Sequence, residues 1–149
     1  MPGLHRVFVC ALLAAGLATP AAALEFRAVS ENAAVLYDAP SAKAKKLYVV
    51  NRGYPVEVVV LVEGWVKVRD ANGDLTWIES KYLTDKRTVM IRTPVAQVRQ
   101  SADDNAPVVF QAQQSVILDL VEVPGGGWLR VRHRDGQAGF VKASQVWGG

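Results

Sequence analysis

Two matching stretches of sequence decide the fold of this chain, and they are Gly64-Trp65-Val66-Lys67-Val68-Arg69 and Gly127-Trp128-Leu129-Arg130-Val131-Arg132. The stretches match position by position, 63 residues apart, at 64–69 and 127–132. In each one apolar side chains alternate with aromatic or basic ones, which is the two-residue period of a β-strand with one buried face. The sequence therefore predicts the same strand in two copies of one unit.

The match between the two copies extends outward from these strands. A turn glycine follows each stretch at the same spacing, Gly73 after Asn72 and Gly136 after Asp135, and Asn-Gly and Asp-Gly pairs are typical of tight hairpins. No window beyond residue 23 shows a long helical period. These patterns predict an all-β protein in which each unit has five short strands, closed or half-closed into a small barrel.

The chain divides into three segments. Residues 1–23 differ in composition from the rest, and the repeat assigns residues 24–86 to a first unit and residues 87–149 to a second. The boundary between the units falls in a short charged link near residues 85–88. Because this link is short, we expect the two units to lie side by side.

Residues 1–23 have the features of a cleavable signal peptide. The basic residue Arg6 precedes an apolar run of 12 residues at 7–18, and residues 21–23 supply the small side chains of a cleavage site after Ala23. A retained membrane anchor is the alternative, but an apolar segment that spans a bilayer needs roughly 20 residues. We therefore expect a periplasmic or secreted protein with no transmembrane segment after signal cleavage.

The order of motifs in the first unit resembles that of a bacterial SH3 domain. The matching segments are Ala34–Pro40, Leu47-Tyr48, Gly53–Val58, Gly64–Arg69, Asn72–Ile78 and Tyr82-Leu83. The second unit matches more loosely, through Ala96–Val98, Gly127–Arg132, Asp135-Gly136 and Phe140-Val141. The resemblance implies two tandem small five-stranded SH3-like barrels, each with a 3₁₀ turn before its last strand, at 79–82 and 142–145. It also implies a role beside cell-wall hydrolases or in binding peptidoglycan peptides.

The sequence lacks the side chains that hydrolysis usually needs. The one cysteine, Cys10, lies in the predicted signal peptide, and the single histidine beyond it, His133, falls at a predicted hairpin tip beside arginines. Nucleophilic hydrolases pair Cys or Ser with His and an acid, and a zinc site needs several clustered ligands. We therefore expect no catalytic residue, no metal site and no cofactor.

The predicted binding residues are aromatic and lie in the first unit. The resemblance implies a groove between two loops, with Tyr37, Trp65 and Tyr82 as its rings and Asp38 and Glu63 nearby. Strand alternation supports this separately, because Tyr37 and Trp65 each neighbour a predicted core residue and should face solvent. Exposed aromatic clusters are typical of recognition surfaces. The alternative is that these rings cover a barrel end or pack between the units.

The second unit keeps less of this aromatic set. Arg99 and Gln145 stand where the first unit has Tyr37 and Tyr82, and Trp128 remains beside Arg130 and Arg132. These last three residues form a secondary candidate site for an anionic polymer, and a solvated hairpin face is the alternative. Loss of residues 1–23 removes one of the 17 basic residues, so 16 basic residues remain beside 14 acidic ones and the net charge is +2. A charge this small argues against nucleic acid as the partner.

Together these features predict a non-catalytic binding module of the cell envelope, which recognises peptide or peptidoglycan through the aromatic groove of the first unit. The alternative is a structural adaptor or assembly protein of the envelope, in which the aromatic rings lie in protein–protein interfaces. The expected partners are a peptide, peptidoglycan or an envelope protein, and not nucleic acid.

Overall fold

The computed structural model describes residues 24–149, so the predicted signal peptide lies outside the described residues. Within this range every regular element is a β-strand, except for two 3₁₀ turns of three residues each. The strands form two groups that follow one another in sequence and have the same strand order. The prediction of an all-β protein with two tandem units is therefore confirmed.

Each unit contains seven strands and one 3₁₀ turn. The first unit comprises β1 Phe26–Val29, β2 Ala34–Tyr37, β3 Lys46–Val50, β4 Pro55–Val62, β5 Trp65–Arg69, β6 Leu75–Glu79, the 3₁₀ turn Ser80–Tyr82 and β7 Leu83–Thr84. The second unit comprises β8 Thr88–Ile91, β9 Val95–Arg99, β10 Val108–Gln113, β11 Ile117–Gly125, β12 Trp128–Arg132, β13 Ala138–Lys142, the 3₁₀ turn Ala143–Gln145 and β14 Val146–Trp147. Both 3₁₀ turns lie where the resemblance to bacterial SH3 domains implies them.

The seven strands of each unit form one antiparallel sheet. Its order is β3-β2-β6-β5-β4-β1-β7 in the first unit, and the second unit repeats it as β10-β9-β13-β12-β11-β8-β14. The sheet of the first unit thus ends at β3 and β7, with two strands more than the five predicted. Strand β1 pairs with both β4 and β7, but β1 has four residues and β7 only two. Strands this short show no clear alternation in a sequence.

Each sheet folds around its own apolar core. Val66 and Val68 of β5 are fully buried in the first core, and Leu129 and Val131 of β12 are buried in the second. The intervening residues of both strands are half-buried or exposed. The alternation predicted for the two repeated stretches is therefore confirmed. Because burial of such a side chain contributes about 1.5–3 kcal/mol, β5 and β12 are anchored firmly in their units.

The β5–β6 hairpin sets the position of one important pair of side chains. Gly73 in its turn has a φ of 88°, in the left-handed region that glycine adopts without steric cost. The buried carboxylate of Asp70 accepts two backbone N–H groups of the same turn, at 2.9 and 3.0 Å. The resulting register places Trp65 directly opposite Glu79.

The two units are in contact, as the short link between them led us to expect. The indole Nε1 of Trp147 in the second unit donates a hydrogen bond to the carbonyl oxygen of Pro55 in the first, at 2.9 Å. The Trp147 ring also meets the ring of Phe26 edge-on, with centroids 5.1 Å apart. The hydroxyl of Thr88 donates to the carbonyl of Gly53 at 2.6 Å. The aromatic rings that pack between the units are thus Phe26 and Trp147, not the predicted site residues.

Candidate functional site

Three predicted rings of the first unit lie next to one another. Tyr37 is the last residue of β2 and Trp65 the first of β5, and their rings meet edge-on with centroids 5.3 Å apart and planes at 85°. Tyr82, at the end of the 3₁₀ turn, lines a cleft of about 140 Å³ together with Tyr37 and Glu79. We call the four side chains Tyr37, Trp65, Glu79 and Tyr82 the aromatic cleft.

The side chain of Tyr37 is much less exposed than the alternation predicts. Only 8% of the residue is accessible to solvent, whereas Trp65 and Tyr82 are half-buried. Tyr37 is not part of the apolar core around Leu36, so strand parity does send its side chain to the opposite face. The expectation of an open Tyr37 ring is nevertheless wrong, because the ring of Trp65 packs against it.

The two predicted acidic residues of the site lie in loops and are both exposed. Asp38 closes its own loop, since its carboxylate accepts the N–H of Lys45 at 3.0 Å and its N–H donates to the Lys45 carbonyl at 3.1 Å. Glu63 precedes Gly64 in the β4–β5 turn. Neither carboxylate forms an ion pair with any side chain of residues 24–149, and neither lines the space between Tyr37 and Tyr82.

Sequence reasoning missed Glu79, although a signal for it was present. Counting an equal number of residues outward from the turn around Asn72 leads to Trp65 on one strand and Glu79 on the other. Cross-strand partners on one face are neighbours in a sheet. The aromatic cleft therefore contains one carboxylate, which can accept hydrogen bonds, and two phenol groups, which can donate or accept them.

The second unit has a larger cleft at the equivalent place. Its volume is about 320 Å³, and its lining includes Arg99, Trp128, Lys142, Gln145 and Asp104. We call this set of residues the basic cleft. Trp128 lies directly opposite Lys142 in the β12–β13 pair, so a lysine holds the register position that a glutamate holds in the first unit.

Two cationic side chains of the basic cleft contact neighbouring polar groups. The guanidinium of Arg99 donates to the carbonyl of Ala106 at 2.7 Å and to the amide oxygen of Gln97 at 2.6 Å. The Nζ of Lys142 lies 2.7 Å from a carboxylate oxygen of Asp104 and 5.9 Å from the centroid of the Trp128 ring. The cleft thus combines an aromatic face with oriented positive charge.

The secondary candidate residues are only partly brought together. Trp128 lines the basic cleft, but Arg130 and Arg132, on the same strand, do not. Arg130 forms an ion pair with Glu122 at 3.6 Å, and Arg132 is exposed. The arginine that lines this cleft is Arg99, which lies on β9 and not on β12.

His133 stabilises a turn in this structure. Its Nδ1 lies 3.1 Å from the Asp135 carboxylate, and its backbone carbonyl accepts the N–H of Gly136 at 2.9 Å. The backbone N–H of Gln137, which donates to that carboxylate, and then His133 itself lower the pKa of Asp135 below its usual 3.8. The contacts of His133 are those of a hairpin residue.

The described part of the chain contains no group of three or more His, Cys, Asp or Glu side chains arranged to hold a metal ion. Over the same residues, 24–149, no helix has the length and apolar character needed to cross a bilayer.

Comparison with known families identifies the class of this protein. The family model described as bacterial SH3 domain matches the chain twice, over residues 30–85 and 93–148. The two matches cover most of the chain, which therefore belongs to the bacterial SH3 domain family as a tandem pair. Bacterial SH3 domains are generally binding modules and not catalytic ones. No curated protein matches the chain in sequence.

The chain is also similar to parts of three solved structures. For NlpC2 from Trichomonas vaginalis the identity is 13% and the TM-score 0.38, with 82% of this chain and 46% of that one covered. For NlpC1 from the same organism the identity is 14% and the TM-score 0.37, with 86% of this chain and 47% of that one covered. For an NlpC/P60 family protein from Bacillus cereus ATCC 10987 the identity is 17% and the TM-score 0.38, with 83% of this chain and 56% of that one covered. This chain thus spans about half the length of each of these proteins.

Proposed function

We propose that this protein is an exported, non-catalytic binding module of the cell envelope, which recognises a peptide or the peptide part of peptidoglycan at the aromatic cleft. Membership of the bacterial SH3 domain family supports a binding role. The signal-peptide features of residues 1–23 support a periplasmic or secreted location, where such ligands are found.

The observation that carries this proposal is the continuity of three rings. Trp65 contacts Tyr37 edge-on, and Tyr37 and Tyr82 line the same cleft. Aromatic rings held by strands and a 3₁₀ turn present a large contact area at a small cost in conformational entropy. Such rigid aromatic anchors are the side chains that most often dominate binding energy.

The polar groups of the aromatic cleft suit a peptide. The carboxylate of Glu79 forms no ion pair with other side chains of residues 24–149 and lines the cleft, so it can accept N–H groups of a ligand backbone or an amine. The Nζ of Lys81 lies 5.0 Å from the Tyr82 ring centroid and covers one face of that ring. A ligand therefore meets the Glu79 carboxylate beside the Tyr82 ring, with the Lys81 ammonium group next to it.

Retention on insoluble peptidoglycan tests the proposal. The purified protein is sedimented with peptidoglycan at physiological ionic strength, which screens non-specific attraction between exposed charges. Trp65→Ala should lower the affinity at least 30-fold, which corresponds to the roughly 2 kcal/mol of a dominant anchor. Leu75→Ala removes an exposed apolar side chain at the opposite end of the β5–β6 pair; it is the control and should leave retention nearly unchanged.

Circular dichroism and thermal unfolding of both variants show whether each remains folded. A folded Trp65→Ala variant that is retained as well as the parent protein contradicts the proposal. Absence of retention for the parent protein on peptidoglycan, together with no binding of short peptides, also contradicts it.

A second candidate function, an assembly element of the envelope, is favoured by one observation. Four consecutive large apolar side chains are exposed on the far half of β4, and they are Val59, Val60, Leu61 and Val62. Exposed apolar patches often mark protein–protein contacts. Light scattering that finds a dimer in the parent protein and a monomer in Leu61→Glu would support this function, and a monomeric parent protein would count against self-assembly.

A further inference from the structure

The basic cleft of the second unit has the opposite charge preference to the aromatic cleft. At matching register positions, Lys142 faces Trp128 where Glu79 faces Trp65. Arg99 stands in β9 at the place that Tyr37 has in β2, and it lines the cleft. The cleft keeps the tryptophan of the first unit but replaces one acid and one phenol by two cations.

The cleft already contains a carboxylate that belongs to the chain itself. Asp104 lies in the loop between β9 and β10, and its Oδ1 lies 2.7 Å from the Nζ of Lys142. The side chain of Asp104 is 67% exposed and that of Lys142 is 44% exposed, so solvent screens the ion pair, which is worth little and opens readily. Asp104 thus marks where a carboxylate fits, without closing the cleft permanently.

Arg99 adds a second and more rigid cationic group. Its two described hydrogen bonds, to Ala106 and Gln97, use two of the guanidinium N–H donors and orient the others. Guanidinium and ammonium groups bind carboxylates through short, charge-assisted hydrogen bonds. The volume of about 320 Å³ falls at the lower end of the range for small-ligand sites, which is about 300–1,000 Å³.

We propose that the basic cleft binds a short peptide through a free carboxylate, and that Asp104 holds the place of this carboxylate until the ligand displaces it. Arg99 and Lys142 receive the carboxylate, and the ring of Trp128 packs against the adjoining part of the ligand. This site is separate from the aromatic cleft, so the proposal for it does not depend on the function proposed for that cleft.

Nuclear magnetic resonance with acetyl-Ala-Ala as the probe tests this proposal. The ¹⁵N-labelled protein is titrated at low ionic strength with the free acid and, in parallel, with the C-terminal amide. Trp128→Phe assigns the indole N–H signal of Trp128, which should shift saturably with the acid. We expect the amide to bind at least about 10-fold more weakly, since it cannot form a charge-assisted pair.

Four variants at three residues separate the parts of the proposal. Asp104→Asn should raise the affinity for the acid about 3- to 10-fold, because the competing carboxylate is gone. Lys142→Gln should lower the affinity for the acid by a similar factor. Lys142→Glu, which introduces the negative charge that Glu79 has at this position of the first unit, should abolish saturable binding. Arg134→Gln removes a cation outside the cleft and should change the affinity less than twofold.

The dispersion of the four tryptophan indole signals shows that each variant is folded. Equal affinity for acid and amide, an unchanged affinity in Asp104→Asn, or shifts at Trp65 instead of Trp128 each overturn the proposal. No saturable shift in either the parent protein or Asp104→Asn at tens of millimolar peptide overturns it as well.

Discussion

Replacing Trp147 should separate the two units without unfolding either core. Its indole N–H and ring are the main contacts that cross from the last strand of the second unit to the first unit, at Pro55 and Phe26. Trp147 lies outside the apolar core of its own unit. The variant Trp147→Ala therefore removes a contact between units and leaves both cores in place.

The magnitude of this effect follows from the two contacts. An edge-to-face aromatic pair contributes about 0.5–1.5 kcal/mol beyond its buried area, and a hydrogen bond about 0.5–1.5 kcal/mol. Full burial of a tryptophan makes truncation to alanine cost about 3–5 kcal/mol, and Trp147 is half-buried. We expect Trp147→Ala to lower the free energy of unfolding by about 2–4 kcal/mol. Trp147→Phe, which keeps the ring contact, should cost about 1–2 kcal/mol.

Urea unfolding followed by circular dichroism and by fluorescence of the remaining tryptophans measures both effects. The parent protein should unfold in one transition that both probes report, because the units stabilise each other. Trp147→Ala should unfold in two transitions, one for each unit, since each unit retains its own core. A single coincident transition with an unchanged midpoint in Trp147→Ala would refute the reasoning.

Three further predictions concern local features. Asp70→Ala should lower the free energy of unfolding by about 1–3 kcal/mol in urea titrations, because two turn N–H groups lose their acceptor. Burial raises the pKa of Tyr54 above its usual 10.0, so the neutral phenol contributes stability below pH 10 that is lost as the pH rises through the raised pKa. Tyr54→Phe should therefore lose less stability than the parent protein between pH 9 and pH 12. Mass spectrometry of exported protein should find Leu24 as the first residue.

Each of these predictions has a simple control. The variant Asp74→Ala removes a neighbouring acid that accepts neither bond, and equal destabilisation by Asp70→Ala and Asp74→Ala would contradict the role given to Asp70. Parallel pH profiles for Tyr54→Phe and the parent protein would contradict the role of the Tyr54 phenol. Recovery of exported protein that begins at Met1 would contradict cleavage.

The sequence predicted the fold class because the same pattern occurs twice. Burial of Val66, Val68, Leu129 and Val131 follows directly from the two-residue period of a strand. Short strands such as β7 carry too few residues for this pattern, and their pairing depends on contacts distant in sequence. The number of strands in each unit therefore could not be predicted from the sequence.

The candidate site was predicted in part for a similar reason. Strand parity gave the faces of Tyr37 and Trp65 but not their contact, because a ring that covers another ring is a property of packing between strands. Register, which depends on the turn, brings Glu79 and Lys142 to the two tryptophans. Trp147 contacts Pro55 of the first unit, which is distant in sequence, so the alternation of residues along a strand cannot predict this contact.

One titration tests most directly whether the aromatic cleft is the surface that binds peptidoglycan peptides, as we propose. The ¹⁵N-labelled protein is titrated with soluble peptidoglycan fragments, and the indole N–H signals of Trp65 and Trp147 are followed. We expect a saturable shift at Trp65 with little change at Trp147, which packs between the units. Binding that leaves the Trp65 signal in place, or no binding at all, would contradict it.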